Sequence, residues 1–284
     1  MQLLINGLAA GATAALLAFG FGLVYFTTGV FHFAHGAAFA VAGYTLWALY
    51  EQLGWPLLLA AVPALAAAAL TGWLVETLLY RPLRARRASS DALFLTSLGA
   101  YSVVANLLGW ACGHDAKALT RLPDPSWTLV AGTPPVVITA AQVVTLALAA
   151  TVFAALAVLF KRTRFGLAVR AYAANPTLAG VVGVDERRLL PQVAVLGALL
   201  AGVAALTVAA DVGVSPDMGL PAVLTGAVAT VLGGVGSLSG AALGGLGLGL
   251  LQHLGRHWLA ARWEEAVTFA VLLIVLLTRR GGGK

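Results

Sequence analysis

The segment KRTRFGLAVRAYAANPTLAGVVGVDERRLLP, residues 161–191, is the only long charged stretch lying between two runs apolar enough to cross a bilayer. It carries Lys161, Arg162, Arg164, Arg170, Arg187 and Arg188 against only Asp185 and Glu186. In a membrane protein such a cation excess marks the cytoplasmic side. Its middle has the pattern of a short helix. An Asn175 side chain can cap free amides, Pro176 suits a first helical position, and Gly183 suits a stop. Leu178, Ala179 and Val182 would then offer one small apolar face on a two-turn helix. These local features leave two readings open: a docking element beneath the membrane, or a solvated basic loop with a chance cap.

Composition decides the solvent. Hydrophobic residues make up 60% of the 284 positions and charged ones 10%, where a soluble domain has about 25% charged. Mean hydropathy is +0.92. A soluble fold of this length cannot hide so much apolar surface, so an all-α polytopic transmembrane bundle is expected, with about seven to nine membrane segments, some of them broken or re-entrant. The net charge of +6 reads as orientation, because most of the 17 lysines and arginines fall in residues 81–87, the central loop and the C-terminal tail. No nucleic-acid partner is implied. The lone Cys112 forbids an intramolecular disulfide and argues against a metal cluster. The N-terminus lacks a basic leader and reads as an uncleaved first span.

Outward from the central loop, apolar runs cover residues 3–25, 30–50, 55–79, 92–111, about 135–160, 190–210, 223–250 and 266–278. The second run is interrupted by Phe31, His32, Phe33, Ala34, His35 and Gly36. Two histidines at membrane depth either face a wet cavity, sit in a broken turn near the boundary, or form a satisfied structural pair. Glu76, close to the basic stretch 81–87, is expected to snorkel or to pair with it, and that stretch is expected to be a cytoplasmic loop. Residues 113–135 are polar and placed outside. In residues 223–250, Gly236, Gly240 and Gly244 form one four-residue ladder and Ala241, Gly245 and Gly249 a second, so two close helix contacts are expected. At this length the run is read as a re-entrant pair of half-helices, broken at residues 233–237. A phosphate loop is excluded, since Ser239 stands where G-x-G-x-x-G needs its third glycine. His253 and His257 share a helical spacing without a His-Glu-x-x-His pattern, so no metal site is assigned.

Two glycine-punctured breaks, one in each half, point to a solute path, because exposed backbone at membrane depth persists only where it lines a cavity or is buried in protein. The path residues are taken as Phe31, His32, Phe33, His35, Gly36, Gly234, Gly236 and Ser237. No nucleotide-binding motif and no mid-span carboxylate is present, so the power source is expected on a separate ATPase docking at the central loop. No covalent chemistry and no cofactor are called for. The rival is a self-sufficient channel or proton-coupled carrier gated by His32 and His35.

Several ordered motifs resemble one family. Phe33-Ala34-His35-Gly36, Arg81-Pro82-Leu83-Arg84 after Glu76, Thr163-Arg164-Phe165-Gly166 with Arg170-Ala171, and Gly233-Gly234-Val235-Gly236-Ser237 with Gly240-Ala241 are similar to the permease subunits of branched-chain amino acid ABC importers, the LivH type. The resemblance runs over residues 2–278. It implies a single permease domain over residues 1–284 in the bacterial inner membrane. It also implies a second, LivM-like permease, two ATP-binding subunits and an external solute-binding protein. Residues 161–191 become the coupling loop, with Arg170, Ala173, Ala174, Asn175, Pro176, Leu178, Ala179, Gly180 and Val182 as contacts to the ATPase. The chain departs from the family pattern at His32 and Ala37, in a coupling box reduced to Tyr172-Ala173-Ala174, and at Arg279-Arg280-Gly281-Gly282.

Overall fold

The computed structural model describes residues 1–123, 125–130, 135–234, 237–258 and 264–278. Lipid offers no water to a stray N–H or C=O, so the apolar runs become helices that close their own hydrogen bonds. In chain order these are α1 (Gln2–Thr28), α2 (Ala34–Trp47), α3 (Leu57–Leu74), α4 (Arg81–Ala85), α5 (Ser90–Cys112), α6 (Ala140–Arg162), α7 (Arg164–Ala174), α8 (Pro176–Val181), α9 (Glu186–Val212), α10 (Gly219–Gly233), α11 (Leu238–Trp258) and α12 (Glu264–Thr278). Among the described residues, five segments are long and apolar enough to cross a membrane: α1, α3 with α4, α5, α6 and α9. Burial sorts them. In the most apolar window of α1, 83% of residues are buried, and in that of α9 61%, but the figure is 22% for both α5 and α6. The first helix is therefore the centre of the bundle, while α5 and α6 present most of their surface outward.

The glycine ladders of α11 make the two contacts expected of them. On one face, a β-carbon at Gly244 would strike the Ala229 carbonyl and the Gly233 backbone of α10. On the adjoining face, β-carbons at Gly245 and Gly249 would strike the α1 backbone at Ala15 and Gly11. Gly236 lies outside the described residues. The run breaks where expected, between α10 of 15 residues and α11 of 21, and α11 runs antiparallel to α1 from the level of Gly22 to that of Gly7. Small residues let the two backbones meet along that whole length.

Two expectations change. Residues 81–85 are helical and continue α3 through a π-helical turn, Val75–Tyr80. Pro82 follows directly on that turn, where the hydrogen-bond register is already shifting and a missing N–H costs less. On the other side, part of the polar stretch placed outside and the first residues of the run read as the fifth span fold into an antiparallel hairpin, β1 (Ser126–Val130) with β2 (Val136–Thr139), in which Trp127 pairs with Ile138. Helix α6 starts after it, at a capping box in which Thr139 and Gln142 exchange side-chain bonds with each other's backbone.

The central loop holds α7 and α8. Asn175 Oδ1 accepts the Leu178 N–H at 3.0 Å, and Gly183 takes φ +93°, the left-handed stop that glycine allows. The apolar face differs from the one expected. Ala179 is buried, whereas Leu178, Val181 and Val182 are 62%, 80% and 77% exposed and fall on a face of their own. Removing the cap with Asn175→Ala should cost about 1 kcal/mol, read as roughly fivefold faster hydrogen exchange over residues 176–182 with the spans unaffected.

Candidate functional site

A cavity of about 700 Å³ opens between α1, α6, α9, α10, α11 and α12. Its polar lining is neutral hydroxyls and carboxamides from separate helices: Asn6, Thr13, Gln142, Thr145, Thr207, Thr225, Gln252 and Thr268, with Asp211 and His253. The walls between them are small and apolar, with Leu17 and Phe39 among the lining residues. Several of these groups fix one another. Gln142 Nε2 donates to Asn6 Oδ1 at 3.0 Å, the Thr13 and Thr207 hydroxyls lie 3.2 Å apart, and Gln252 Nε2 donates to Thr268 Oγ1 at 2.7 Å. From Asn6 to Leu17 the cavity descends along α1 by roughly 16 Å, about half the thickness of a bilayer core. Its Asn6 end adjoins the β-hairpin, where the Val137 N–H donates to Gln2 Oε1 at 2.7 Å, and so lies opposite the basic central loop. The volume and the mix of apolar wall with a few polar groups suit a small molecule.

The predicted path residues lie elsewhere: Phe31, His32, Phe33, His35 and Gly36, with Gly234 and Ser237, are not among the residues lining this cavity. Gly236 lies outside the described residues. The first group forms a helix break. Gly29, at φ +67°, ends α1, and α2 begins at Ala34. The break is locked from two sides. Ser97 Oγ on α5 accepts the Phe33 N–H at 3.0 Å and donates to the Phe94 carbonyl at 2.7 Å, while His32 Nδ1 and the Tyr80 hydroxyl share a 2.6 Å hydrogen bond. Both histidines are buried, among Phe21, Phe31 and Tyr80. His35 makes no hydrogen bond of ordinary geometry. It packs against Gly20, one turn beyond Leu17 of the cavity.

This break meets the second half of the chain most tightly at Gly36. A β-carbon on Gly36 would stand 2.5 Å from the Gly219 carbonyl oxygen at the start of α10. Tyr101 holds that start in place, its hydroxyl donating to the Asp217 carbonyl at 3.1 Å and accepting the Leu220 N–H at 3.0 Å. The sequence reading marked Gly36 but missed Gly219, Tyr101 and Tyr80. The polar positions of α5 did carry a signal: Ser97 and Tyr101 stand four apart, on one helical face.

At the basic end, the expected pairing of Glu76 holds. Glu76 is buried in the π-helical turn and accepts from Arg84 Nη2, and Arg84 Nε also lies 3.7 Å from Glu186 at the base of α9. Tyr172 of α7 packs beside them, and burial, reinforced by the Glu186 carboxylate, pushes its phenol up to about 12. It is a neutral hydroxyl at any physiological pH. Of the coupling residues, Arg170 donates to the Phe160 carbonyl and so ties α7 to the end of α6. Ala173, Ala174, Asn175, Pro176, Leu178, Gly180 and Val182 are exposed.

Comparison with known proteins agrees with this architecture. In solved structures, PsaBC from Streptococcus pneumoniae in complex with Fab is similar at a TM-score of 0.53 and 16% identity, covering 97% of this chain and 91% of that one, a likeness of fold alone. The high-affinity branched-chain amino acid transport system permease protein LivH of Escherichia coli K12 is 30% identical over 292 residues, covering 99% of this chain and 94% of the relative. BraD of Pseudomonas aeruginosa is 32% identical over 294 residues with the same coverage. A probable LivH of Methanocaldococcus jannaschii is 30% identical over 280 residues, covering 92% and 85%. The family described as the permease component of branched-chain amino acid transport systems matches residues 3–276, and the chain belongs to that family.

Proposed function

We propose that this chain carries leucine, isoleucine, valine or a similar small zwitterion across the membrane, as one permease domain over residues 1–284 with residues 161–191 as its coupling loop. An external solute-binding protein delivers the solute to the mouth of the cavity between Asn6 and Asp211. A second, LivM-like permease completes the passage, and two ATP-binding subunits supply the power. ATP hydrolysis belongs to those subunits. The neutral hydroxyls and carboxamides suit an ammonium and a carboxylate together without fixing either as a full ion pair, while Leu17, Phe39 and Val208 suit an aliphatic side chain. The helix break at residues 29–33 then acts as a floor beneath the solute, with His32 and His35 as its packing.

The observation that carries the coupling is the exposed apolar face of α8. Leu178, Val181 and Val182 face away from the bundle on a capped helix at the basic end, where water would penalise them unless a partner covers them. Helix α8 packs on α7, which in turn touches α6, α1 and α9, so a push on α8 reaches several helices at once. The rival reading, a self-sufficient carrier gated by His32 and His35, draws no support from a histidine pair sealed away from the cavity.

The test is uptake of labelled leucine into vesicles holding the chain with its partner subunits. Uptake is expected only with ATP and the ATP-binding subunits present. Leu178→Asp with Val182→Asp should lower it at least about tenfold without changing the melting temperature, as for a desolvated anchor of an interface. Solute movement by this chain alone, without ATP, would overturn the proposal.

A further inference from the structure

A second hollow lies on the flank of the bundle, away from the solute cavity. It is an open groove of about 390 Å³ between α3 and α9, lined by Trp73, Pro191, Gln192, Val195, Leu196 and Leu199. Both of its walls belong to segments long and apolar enough to cross a membrane, which puts the groove at the depth of lipid. Five of the six lining residues are apolar or aromatic. The sixth, Gln192, is exposed and has no hydrogen-bond partner among the described residues. A carboxamide left bare against hydrocarbon is costly, so its position implies polar groups at that depth.

The charges beneath the groove say which polar groups. On α9, Arg187 and Arg188 stand one helical turn below Pro191 and Gln192, on the same face. On the other wall, the π-helical turn Val75–Tyr80 takes an extra residue, which brings Arg81 back beneath Trp73. All three arginines are exposed. Neither Arg81 nor Arg187 has an ion-pair partner among the described residues. Arg188 shares Asp185 at 3.4 Å, and Glu186 turns to Arg84 at 3.7 Å. The order from the basic end inward is thus guanidinium groups, then one carboxamide, then an apolar trough about 12 Å long from Pro191 to Leu199. A glycerophospholipid has the same order: phosphate, ester carbonyls, acyl chain.

We propose that this groove binds one anionic glycerophospholipid of the leaflet on the basic side. Its phosphate rests on Arg81, Arg187 and Arg188, an ester carbonyl accepts from the Gln192 carboxamide, and one acyl chain lies along Val195, Leu196 and Leu199 beside Trp73. The cations make the site selective for net negative headgroups, since each adds attraction near the surface.

Native mass spectrometry of the full chain, released from mild detergent with phosphatidylglycerol or with phosphatidylcholine of the same acyl chains, tests this. The wild type is expected to retain phosphatidylglycerol at least about fivefold better. The combined variant Arg81→Gln, Arg187→Gln, Arg188→Gln should erase that preference while keeping the melting temperature, because all three side chains are exposed. Val195→Trp, which fills the trough, should lower retention of both lipids. Equal retention of the two lipids by the wild type would overturn the proposal, and so would a preference that survives the triple charge variant.

Discussion

Gly245→Leu is expected to leave no folded protein after detergent extraction, whereas Gly247→Leu, two residues along the same helix, is expected to give wild-type yield and a sharp elution peak. The reason is what each new side chain meets. A β-carbon at Gly245 already collides with the α1 backbone at Ala15 and Ala14, while one at Gly247 meets nothing within 4 Å. Backbone cannot swing aside as a flexible side chain does. Nor can α1 retreat, since its other faces pack against α9 and α10. Overpacking usually costs about 1–3 kcal/mol, and a leucine whose first carbon has no room should exceed that, a large part of the net stability of most proteins. Alanine at Gly245 should act in the same direction with smaller size, because the gain in helix propensity of about 1 kcal/mol is outweighed by the separation it forces on the two helices. Fluorescence-detected gel filtration and thermal melts of the three variants check the order.

Glu76→Ala should be the most damaging change at the basic end, lowering stability by about 3 kcal/mol. Glu76 is 2% exposed and accepts from Arg84, so its loss strands a guanidinium in a half-buried site. That guanidinium keeps 21% of its side chain exposed and still has Glu186 at 3.7 Å, which holds the loss to the lower end of the range for broken buried pairs. Removing both partners should hurt less than the sum of the single changes, because Arg84→Ala takes away the stranded charge. Melting temperatures of the two singles and the double form the cycle. Additive effects would mean the pair is not coupled.

The sequence made the scaffold readable where one residue type has one physical use. Asn175 before Pro176 and Gly183 after it foretold α8. The spacing of Gly244, Gly245 and Gly249 foretold close contacts on two faces. Glu76 beside a run of arginines foretold its partner. The cavity was not readable in the same way. Thr13, Thr145, Thr207, Gln142 and Gln252 are spread over α1, α6, α9 and α11, and Thr145, like Thr45 and Thr71 elsewhere, bonds a carbonyl of its own helix. A threonine in an apolar helix therefore looks the same whether it faces a cavity or satisfies itself, and only tertiary convergence separates the two. The histidines drew the eye because a titratable group at membrane depth is rare, yet their burial serves the junction of two helix ends. The hairpin was missed: Ser126 to Leu129 alternates polar and apolar, and Val136 to Thr139 is entirely β-branched, but their place between two helical spans hid the period of two.

The central position of α1 also bears on how the protein is made. A ribosome delivers this helix before the helices it packs against, and its most extensive partner, α11, emerges more than two hundred residues later. Until then Gly7 and Gly11 face a gap that lipid or an insertion chaperone has to occupy, and the nascent chain stays open to membrane proteases. Any truncation before α11 should thus yield a polypeptide that inserts but is degraded, with its oldest segment waiting for a neighbour that is never synthesised.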